Sequence, residues 1–215
     1  MSIEIDLIVF DLDGTLADSL PDLANAANFV CRRLGLPEHP QAAVQQMIGG
    51  GEINFVRRFL EPENQHHFDQ AMALYWEYYA RHLWDLTRLY PGVAETLKHF
   101  AHKKLAVLSN KHQKLTEKVL EVLGIRPFFA AVRGGGTDLA LKPSPESLAA
   151  LIQEMGVAPA RTLMVGDKPA DVLAGKGAGA RTLGVTYGYG DAAALRAAAP
   201  EFLVSHLAEL KNLFV

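Results

Sequence analysis

Two acidic residues, Asp11 and Asp13, directly follow an apolar run formed by Ile8, Val9 and Phe10. Residues at positions i and i+2 of an extended segment project to the same side, so the two carboxylates are expected to converge. At about 4 Å they repel by about 4 kcal/mol at an effective dielectric constant of about 20. A bound cation, or a proton on one acid, would offset that repulsion. In the alternative interpretation, one aspartate caps the next turn and the other is solvated.

A second apolar run, residues 105–109, ends in Ser109, Asn110 and Lys111. A hydroxyl, an amide and a nearby backbone N–H at the start of a helix are typical of a phosphate-binding site, although a plain helix cap is the alternative. Further along, Lys142 stands just ahead of two prolines that stiffen the entry to the next helix. A lysine held there can neutralise phosphate, whereas a solvated lysine is the ordinary alternative.

A third apolar run, residues 162–165, is followed by Asp167 and, one helical turn later, by Asp171. Oxygen ligands from Asp11 and Asp167, completed by a carbonyl and waters, suit the octahedral preference of Mg²⁺. The sequence therefore predicts phosphate or metal chemistry after each of three apolar runs.

The elements that must position these residues are strands and helices in alternation. The runs at residues 5–10, 105–109, 162–165 and 181–185, and a weaker one at 202–204, lack polar alternation, as is typical of strands buried on both faces. Helical patterns lie between them, over residues 92–101, 113–123, 144–155 and 171–177. This alternation predicts an α/β fold with a doubly wound, Rossmann-like parallel sheet. Ligands bind such sheets at the carboxyl edge of the strands, where the polar residues would meet.

One region interrupts the alternation. Between about residues 16 and 84 there is no strand-like run, and helical patterns cover residues 21–34, 41–47, 52–60 and 64–83. We therefore predict a small all-helical cap inserted after the first strand. Residues 16–85 would form this cap, and residues 1–15 and 86–215 would form the α/β core.

The composition narrows the classes of partner and compartment. A net charge of −3 gives no reason to expect nucleic acid or an anionic membrane as partner. No apolar run reaches the roughly 20 residues of a membrane span, and residues 1–6 lack the basic stretch of a secretory signal. The single cysteine, Cys31, cannot form an internal disulfide. We predict a cytoplasmic protein, either a monomer or a homodimer.

Several motifs in fixed order, DLDGTLADS, LAVLSNK, LKPSPES, VGDKPADVLAGKGAG and GVTYGYG, resemble those of the haloacid dehalogenase superfamily. Within it they look like the phosphoglycolate phosphatase group, and the resemblance covers nearly the whole chain. It implies a Mg²⁺-dependent phosphatase that hydrolyses a small phosphorylated metabolite, phosphoglycolate-like or a sugar phosphate. The reaction would pass through an aspartyl-phosphate.

The resemblance also implies catalytic roles for three residues. Asp11 would be the nucleophile, and Asp13 would be the general acid that protonates the leaving oxygen and then the base that activates water. Lys142 would hold the phosphoryl oxygens together with Ser109, and would compensate the charge of Asp11. Thr15 would help to order the first loop.

The implied cofactor is Mg²⁺. By the same resemblance, Asp11 and Asp167 would bind the ion directly, Asp13 would offer its main-chain carbonyl, and Asp171 would ligate the ion or steady the site. The predicted substrate-binding residues are Thr15, Ser109, Asn110, Gly50 and Arg57.

Two of those residues belong to the predicted cap. Gly50 is the middle of three consecutive glycines between two cap helices, and such a run lets the backbone approach a ligand closely. Arg57, which follows, suits an anionic group. A loose connector between helices is the alternative.

The sequence departs from the family pattern at Lys168, because serine or threonine usually follows the metal-binding aspartate. A lysine that simply faces the surface is one interpretation. The other is that Lys168 adds positive charge near the pocket, and so alters metal affinity or the choice of an anionic substrate.

Two other functions are alternatives to a phosphatase. A sugar-phosphate mutase of the same superfamily would share the nucleophile and metal, but mutases often have valine and glycine where Thr15 and Asp171 stand. A catalytically silent binding module would be expected to lack one of the catalytic or metal-binding residues. Here all of them are present: Asp11, Asp13, Lys142 and Asp167.

Overall fold

The computed structural model describes residues 4–214. Within that range the strands are β1 (Leu7–Phe10), β2 (Ala17–Asp18), β3 (Arg88–Leu89), β4 (Lys104–His112), β5 (Ala131–Gly135), β6 (Thr162–Gly166), β7 (Arg181–Val185) and β8 (Phe202–Val204). The helices are α1 (Leu20–Leu34), α2 (Gln41–Met47), α3 (Gly51–Leu60), α4 (Phe68–His82), α5 (Val93–His99), α6 (Gln113–Val122), α7 (Glu146–Glu154), α8 (Pro169–Gly177), α9 (Ala192–Ala197) and α10 (Leu210–Leu213). The outermost residues of the predicted core range, 1–3 and 215, lie outside the described residues.

Six strands form one parallel sheet in the order β5-β4-β1-β6-β7-β8. Strand β1 lies between β4 and β6, and Phe10 pairs with Val107 on one side and Val165 on the other. The backbone N–H of Asp11 continues the ladder by donating to the Val165 carbonyl at 2.9 Å. Asp11 and Asp13 after β1, Asp167 after β6 and the polar residues 109–111 near the carboxyl end of β4 therefore meet at one edge of the sheet, as predicted.

Both faces of the sheet are buried. Ile8 and Phe10 pack in one apolar cluster that includes residues of α5 and α6, while Leu7 and Val9 pack in a second cluster with residues of α7. Since alternate side chains of β1 enter opposite layers, the strand needs an unbroken apolar run. This confirms the predicted α/β fold with a doubly wound, Rossmann-like parallel sheet.

Strand β5 was not predicted from the sequence. Its sequence, AVRGG, has only a short apolar start and ends in glycines, which favours a loop. The structure gives the reason for the glycines: a Cβ on Gly134 would lie 2.7 Å from the backbone N of Gln113 and 2.8 Å from the carbonyl O of Lys111. The edge strand passes too close to the end of β4 for any side chain there.

Helices α1 to α4 lie between β2 and β3 and form the all-helical insertion. Its interior includes the buried rings of Tyr75 and Tyr79, which stack with centroids 5.2 Å apart. Strands β2 and β3 pair antiparallel where the chain leaves and re-enters the core. Their two residues each are too few to give a sequence pattern. The division of the chain into a cap of residues 16–85 and a separate core stays a prediction.

No helix within residues 4–214 is long and apolar enough to cross a lipid bilayer.

Candidate active site

Asp11, the first residue after β1, is buried and its carboxylate has two partners. Oδ1 accepts a hydrogen bond from the backbone N–H of Leu12 at 2.8 Å and lies 2.9 Å from Nζ of Lys142. Burial raises the pKa of Asp11 to about 6. The nearby ammonium of Lys142 opposes this shift only in part, and the negative charge of Asp171 increases it. The carboxylate is therefore poised for a further positive partner.

Lys142 is the central cation of the site. Besides Asp11, its Nζ contacts Oδ1 of Asp171 at 2.6 Å and donates to the carbonyl of Leu108 at 2.8 Å. Burial alone would lower the pKa of this lysine, but the carboxylates of Asp11 and Asp171 more than compensate and raise it. Lys142 therefore stays charged between two acids.

The backbone of Lys142 is fixed by Asn110. The side-chain amide of Asn110 donates to the Lys142 carbonyl at 2.8 Å, and its oxygen accepts from the Lys142 N–H at 2.9 Å. Two opposed hydrogen bonds of this kind hold a segment in one orientation. In this structure the predicted substrate-binding residue Asn110 thus positions Lys142.

The side chain of Asp13 has its own partners. Oδ1 accepts from Oγ of Ser19 at 2.5 Å and lies 2.8 Å from Nζ of Lys111, which also donates to the hydroxyl of Tyr79 at 2.9 Å. From the sequence, only the backbone N–H of Lys111 was predicted to take part in the site, and Ser19 was not predicted. The sequence could have indicated Lys111, because it directly follows Ser109 and Asn110. No local sequence pattern indicates a role for Ser19.

Three buried carboxylates converge in a set that suits a divalent cation. One carboxylate oxygen from each residue lies within 4.8 Å of the corresponding oxygens of the other two; the residues are Asp11, Asp167 and Asp171. Burial raises the pKa of Asp167 to about 7, although the charge of Lys168 opposes the shift. An all-oxygen donor set whose charges are costly to bury fits the preference of Mg²⁺.

The other hydrogen bonds of these carboxylates orient them. Asp167 Oδ2 accepts from the backbone N–H of Tyr189 at 2.7 Å and of Gly190 at 3.0 Å. Asp171 Oδ2 accepts from the backbone N–H of Lys168 at 3.0 Å, at the start of α8. Each carboxylate oxygen of Asp171 thus has a partner, the Lys142 ammonium on Oδ1 and the Lys168 N–H on Oδ2.

Close approach of the first loop to Asp167 depends on Gly14. Its φ of +89° is in the left-handed region, and a Cβ there would lie 2.8 Å from Cγ of Asp167. Thr15, next along the chain, is fully buried, with Oγ1 3.5 Å from Oδ1 of Asp167, and its carbonyl accepts from the Tyr187 hydroxyl at 2.6 Å. Thr15 therefore orders the loop from below and is not part of the cavity wall.

A cavity of about 90 Å³ lies above these groups, between the sheet edge and the helical insertion. We call residues 48–51 the glycine loop; it closes the cavity from above, with Gly50 in the wall. The loop is supported from behind by Arg58, which donates to the carbonyls of Met47 at 2.8 Å and Gly49 at 2.6 Å. From the core, the cavity-lining residues include Asp11, Asp13, Ser109, Asn110, Lys111, Lys142, Lys168 and Asp171.

Arg57 is not brought to this cavity. Its guanidinium lies 4.2 Å from the centre of the Phe68 ring and donates to Oε1 of Gln65 at 3.3 Å, on the exposed side of the insertion. The predicted contact of Arg57 with substrate therefore has no support in this arrangement. Lys168, by contrast, is half-buried and lines the cavity, so it does not simply face the surface.

Comparison with known proteins identifies the family. Residues 5–179 match the model of the haloacid dehalogenase-like hydrolases. The chain belongs to the haloacid dehalogenase-like hydrolase family. Two similar members are phosphoglycolate phosphatases: that of Vibrio vulnificus strain YJ016 is 39% identical over 96% of this chain and 95% of the relative. That of Pseudomonas putida KT2440 is 37% identical over 95% of this chain and 78% of the relative.

A solved structure of a similar protein has the same fold. The crystal structure of a predicted phosphoglycolate phosphatase from Haemophilus somnus 129PT superposes with a TM-score of 0.91, at 31% identity, over 97% of both chains. The family resemblance stated from the motifs is thereby confirmed, and the enzyme class is that of a hydrolase of phosphoric monoesters.

Proposed function

We propose that the protein is a Mg²⁺-dependent phosphatase that hydrolyses a small phosphomonoester through an aspartyl-phosphate on Asp11. One observation carries the proposal: the Asp11 carboxylate lies in a cavity wall 2.9 Å from the Lys142 ammonium, with Asp167 and Asp171 converging on it. A carboxylate can attack a phosphate dianion only where positive charge offsets their repulsion.

Asp11 is the group that attacks phosphorus. Its Oδ1 is held by the Leu12 N–H and by Lys142, so the carboxylate cannot rotate freely. As the bond to phosphorus forms, the bond to the leaving oxygen breaks and the substrate alcohol departs. Lys142 and Ser109, both in the cavity wall, are placed to hold phosphoryl oxygens during this step.

Asp13 moves the proton. Its hydrogen bonds from Ser19 and Lys111 fix the carboxyl group beside the cavity. In the first step it gives a proton to the departing alcohol; in the second it takes one from the water that attacks the aspartyl-phosphate. The second step releases inorganic phosphate and restores Asp11.

Asp11, Asp167, Asp171 and the main-chain carbonyl of Asp13 would hold Mg²⁺. When bound, the ion supplies positive charge that offsets the charge of Asp11 and of the phosphoryl oxygens. Lys142 also offsets the charge of Asp11, because its ammonium is paired with the carboxylates of Asp11 and Asp171.

The cavity is small and is covered by the glycine loop, which favours a small metabolite over a polymer as substrate. The names of two relatives, both phosphoglycolate phosphatases, support phosphoglycolate or a similar compound as substrate, and a sugar phosphate is the other candidate. The single buried Cys31 agrees with a reducing compartment, and we place the enzyme in the cytoplasm.

Purified enzyme should be assayed for phosphate release from p-nitrophenyl phosphate, phosphoglycolate and sugar phosphates. We expect hydrolysis that chelation abolishes and Mg²⁺ restores, and an inactive but folded Asp11→Asn variant. Denaturing mass spectrometry after rapid acid quench should detect one added phosphoryl group on the wild-type chain. An active Asp11→Asn variant would overturn the nucleophile, and activity that depends on a sugar bisphosphate would indicate a mutase instead.

A further inference from the structure

Three lysines line the cavity, and two are paired with acids. Lys111 contacts Asp13, and Lys142 contacts Asp11 and Asp171. Within residues 4–214, Lys168 forms no ion pair. Of the three ammonium groups it is the one with no carboxylate oxygen of the described chain within ion-pair distance, although its charge also acts on the neighbouring Asp167. It lines the space in which a substrate would lie.

The position of the Lys168 ammonium is defined. The backbone N–H of Lys168 is tied to Asp171 at the start of α8. At the other end of the side chain, Nζ donates to the carbonyl of Ile48 at 2.6 Å and lies 5.9 Å from the centre of the Tyr189 ring. An ammonium has three N–H donors, so the contact with Ile48 leaves two for another partner.

The glycine loop makes room for this ammonium. Gly49 has a φ of +128°, and a Cβ on it would lie 3.3 Å from Nζ of Lys168. A side chain at this position would crowd the ammonium and strain the backbone. The loop is therefore shaped to pass next to a cation.

The two ends of the loop differ in charge. At one end, Ile48 contacts Lys168. At the other, Glu52 begins α3 and its Oε1 accepts from the backbone N–H of His112 at 2.8 Å. A negative group on a bound substrate would be repelled from the Glu52 end and attracted to the Lys168 end.

We infer that Lys168 determines specificity by binding a second anionic group of the substrate, such as the carboxylate of a phosphorylated hydroxy acid, at the Ile48 end of the glycine loop. The inference rests on the proposed function, because it assumes that the phosphoryl group lies beside Asp11. It selects acidic phosphomonoesters over neutral sugar phosphates.

The test compares two inert ligands that differ only in this group. Phosphonopropionate has a carboxylate that propylphosphonate lacks, and the P–C bond of each resists hydrolysis. Dissociation constants should be measured by calorimetry in Mg²⁺ for the wild type and for Lys168→Met, Lys168→Gln and Lys168→Arg. We expect the wild type to prefer phosphonopropionate by about tenfold or more, the scale of one hydrogen bond between charged groups.

The preference should follow the charge. Lys168→Met and Lys168→Gln should reduce the ratio of the two dissociation constants to about one, even though glutamine keeps an N–H donor for Ile48. Lys168→Arg should retain the preference. Lys176→Met is the matched control, since Nζ of Lys176 also donates to a carbonyl, that of Ala198 at 2.7 Å, but is exposed on the far part of α8. That variant should keep the wild-type preference.

Two results would overturn the inference: a wild type that binds both ligands equally, or a preference that survives in folded Lys168→Met and Lys168→Gln. Loss of Mg²⁺ affinity in these variants with an unchanged ligand preference would assign Lys168 to the metal instead. These outcomes are separate from the proposed function. Failure of the wild type to hydrolyse any phosphomonoester would refute the activity, while the calorimetric preference would still report on Lys168.

Discussion

The ammonium of Lys111 lies 2.8 Å from Oδ1 of Asp13 and 2.9 Å from the hydroxyl of Tyr79. Lys111 is the next-to-last residue of β4, Asp13 lies in the loop after β1, and Tyr79 belongs to helix α4 of the insertion. One buried lysine therefore joins the proposed proton-transfer group to both the sheet and the helices above it.

Lys111→Met should lower kcat by about tenfold to a hundredfold, because Asp13 would lose a partner that positions it for proton transfer. The loss should be larger for an alkyl phosphate than for p-nitrophenyl phosphate, whose good leaving group needs little protonation. Lys114→Met, at an exposed lysine three residues further on in α6, is the control. Equal losses on both substrates would mean that Lys111 does not act through Asp13.

Mg²⁺ affinity should fall as the pH is lowered from 8 to 6. In the metal-free protein the pKa of Asp11 is raised to about 6 and that of Asp167 to about 7. Above pH 7 both carboxylates are mostly charged and open to a cation, whereas below it the ion must displace protons. We expect about a tenfold or greater weakening, measured by calorimetric titration. An affinity that is constant over this range would contradict the raised pKa values.

Asn110→Ala should reduce kcat as well as raise KM, because it frees the backbone of Lys142. A residue that only contacted substrate would change mainly KM. Asn28→Ala is a close control, since Asn28 makes the same pair of hydrogen bonds with the backbone of His39, at 2.9 and 2.8 Å, away from the cavity. Steady-state kinetics should show normal turnover for that variant, and a pure KM effect at Asn110 would refute its positioning role.

Asp22→Ala should destabilise the protein by about 2–4 kcal/mol, since it removes the acceptor of several buried donors. The buried Asp22 carboxylate accepts from the backbone N–H groups of Leu86 and Thr87 and from the Thr87 hydroxyl, and so ties α1 to the returning chain. Asp69→Ala, at an exposed acid in the first turn of α4, should cost less than about 1 kcal/mol. Urea unfolding measures both; equal costs would contradict this account.

Much of the fold was predictable because its signals are local. The unbroken apolar run before Asp11 marks a strand buried on both faces. The polar residues after β1 and β6, and those at the carboxyl end of β4, lie at one sheet edge as the topology requires. Strand β5 was not predicted because glycine is disfavoured in strands. Its glycines are required by the close approach of the neighbouring chain segment, which a pattern within β5 cannot indicate.

The sequence by itself determined the α/β class, the helical insertion and the oxygen-rich chemistry at the strand ends, since each depends on residue type and short-range spacing. The tertiary structure alone decided which charged and polar groups meet. Lys111 and Asp13 are 98 residues apart, and Lys168 and Ile48 are 120 apart. Such pairs form only when strands and helices distant in the chain pack together, because an ionic or hydrogen-bonded contact acts over a few ångströms and leaves no periodic pattern.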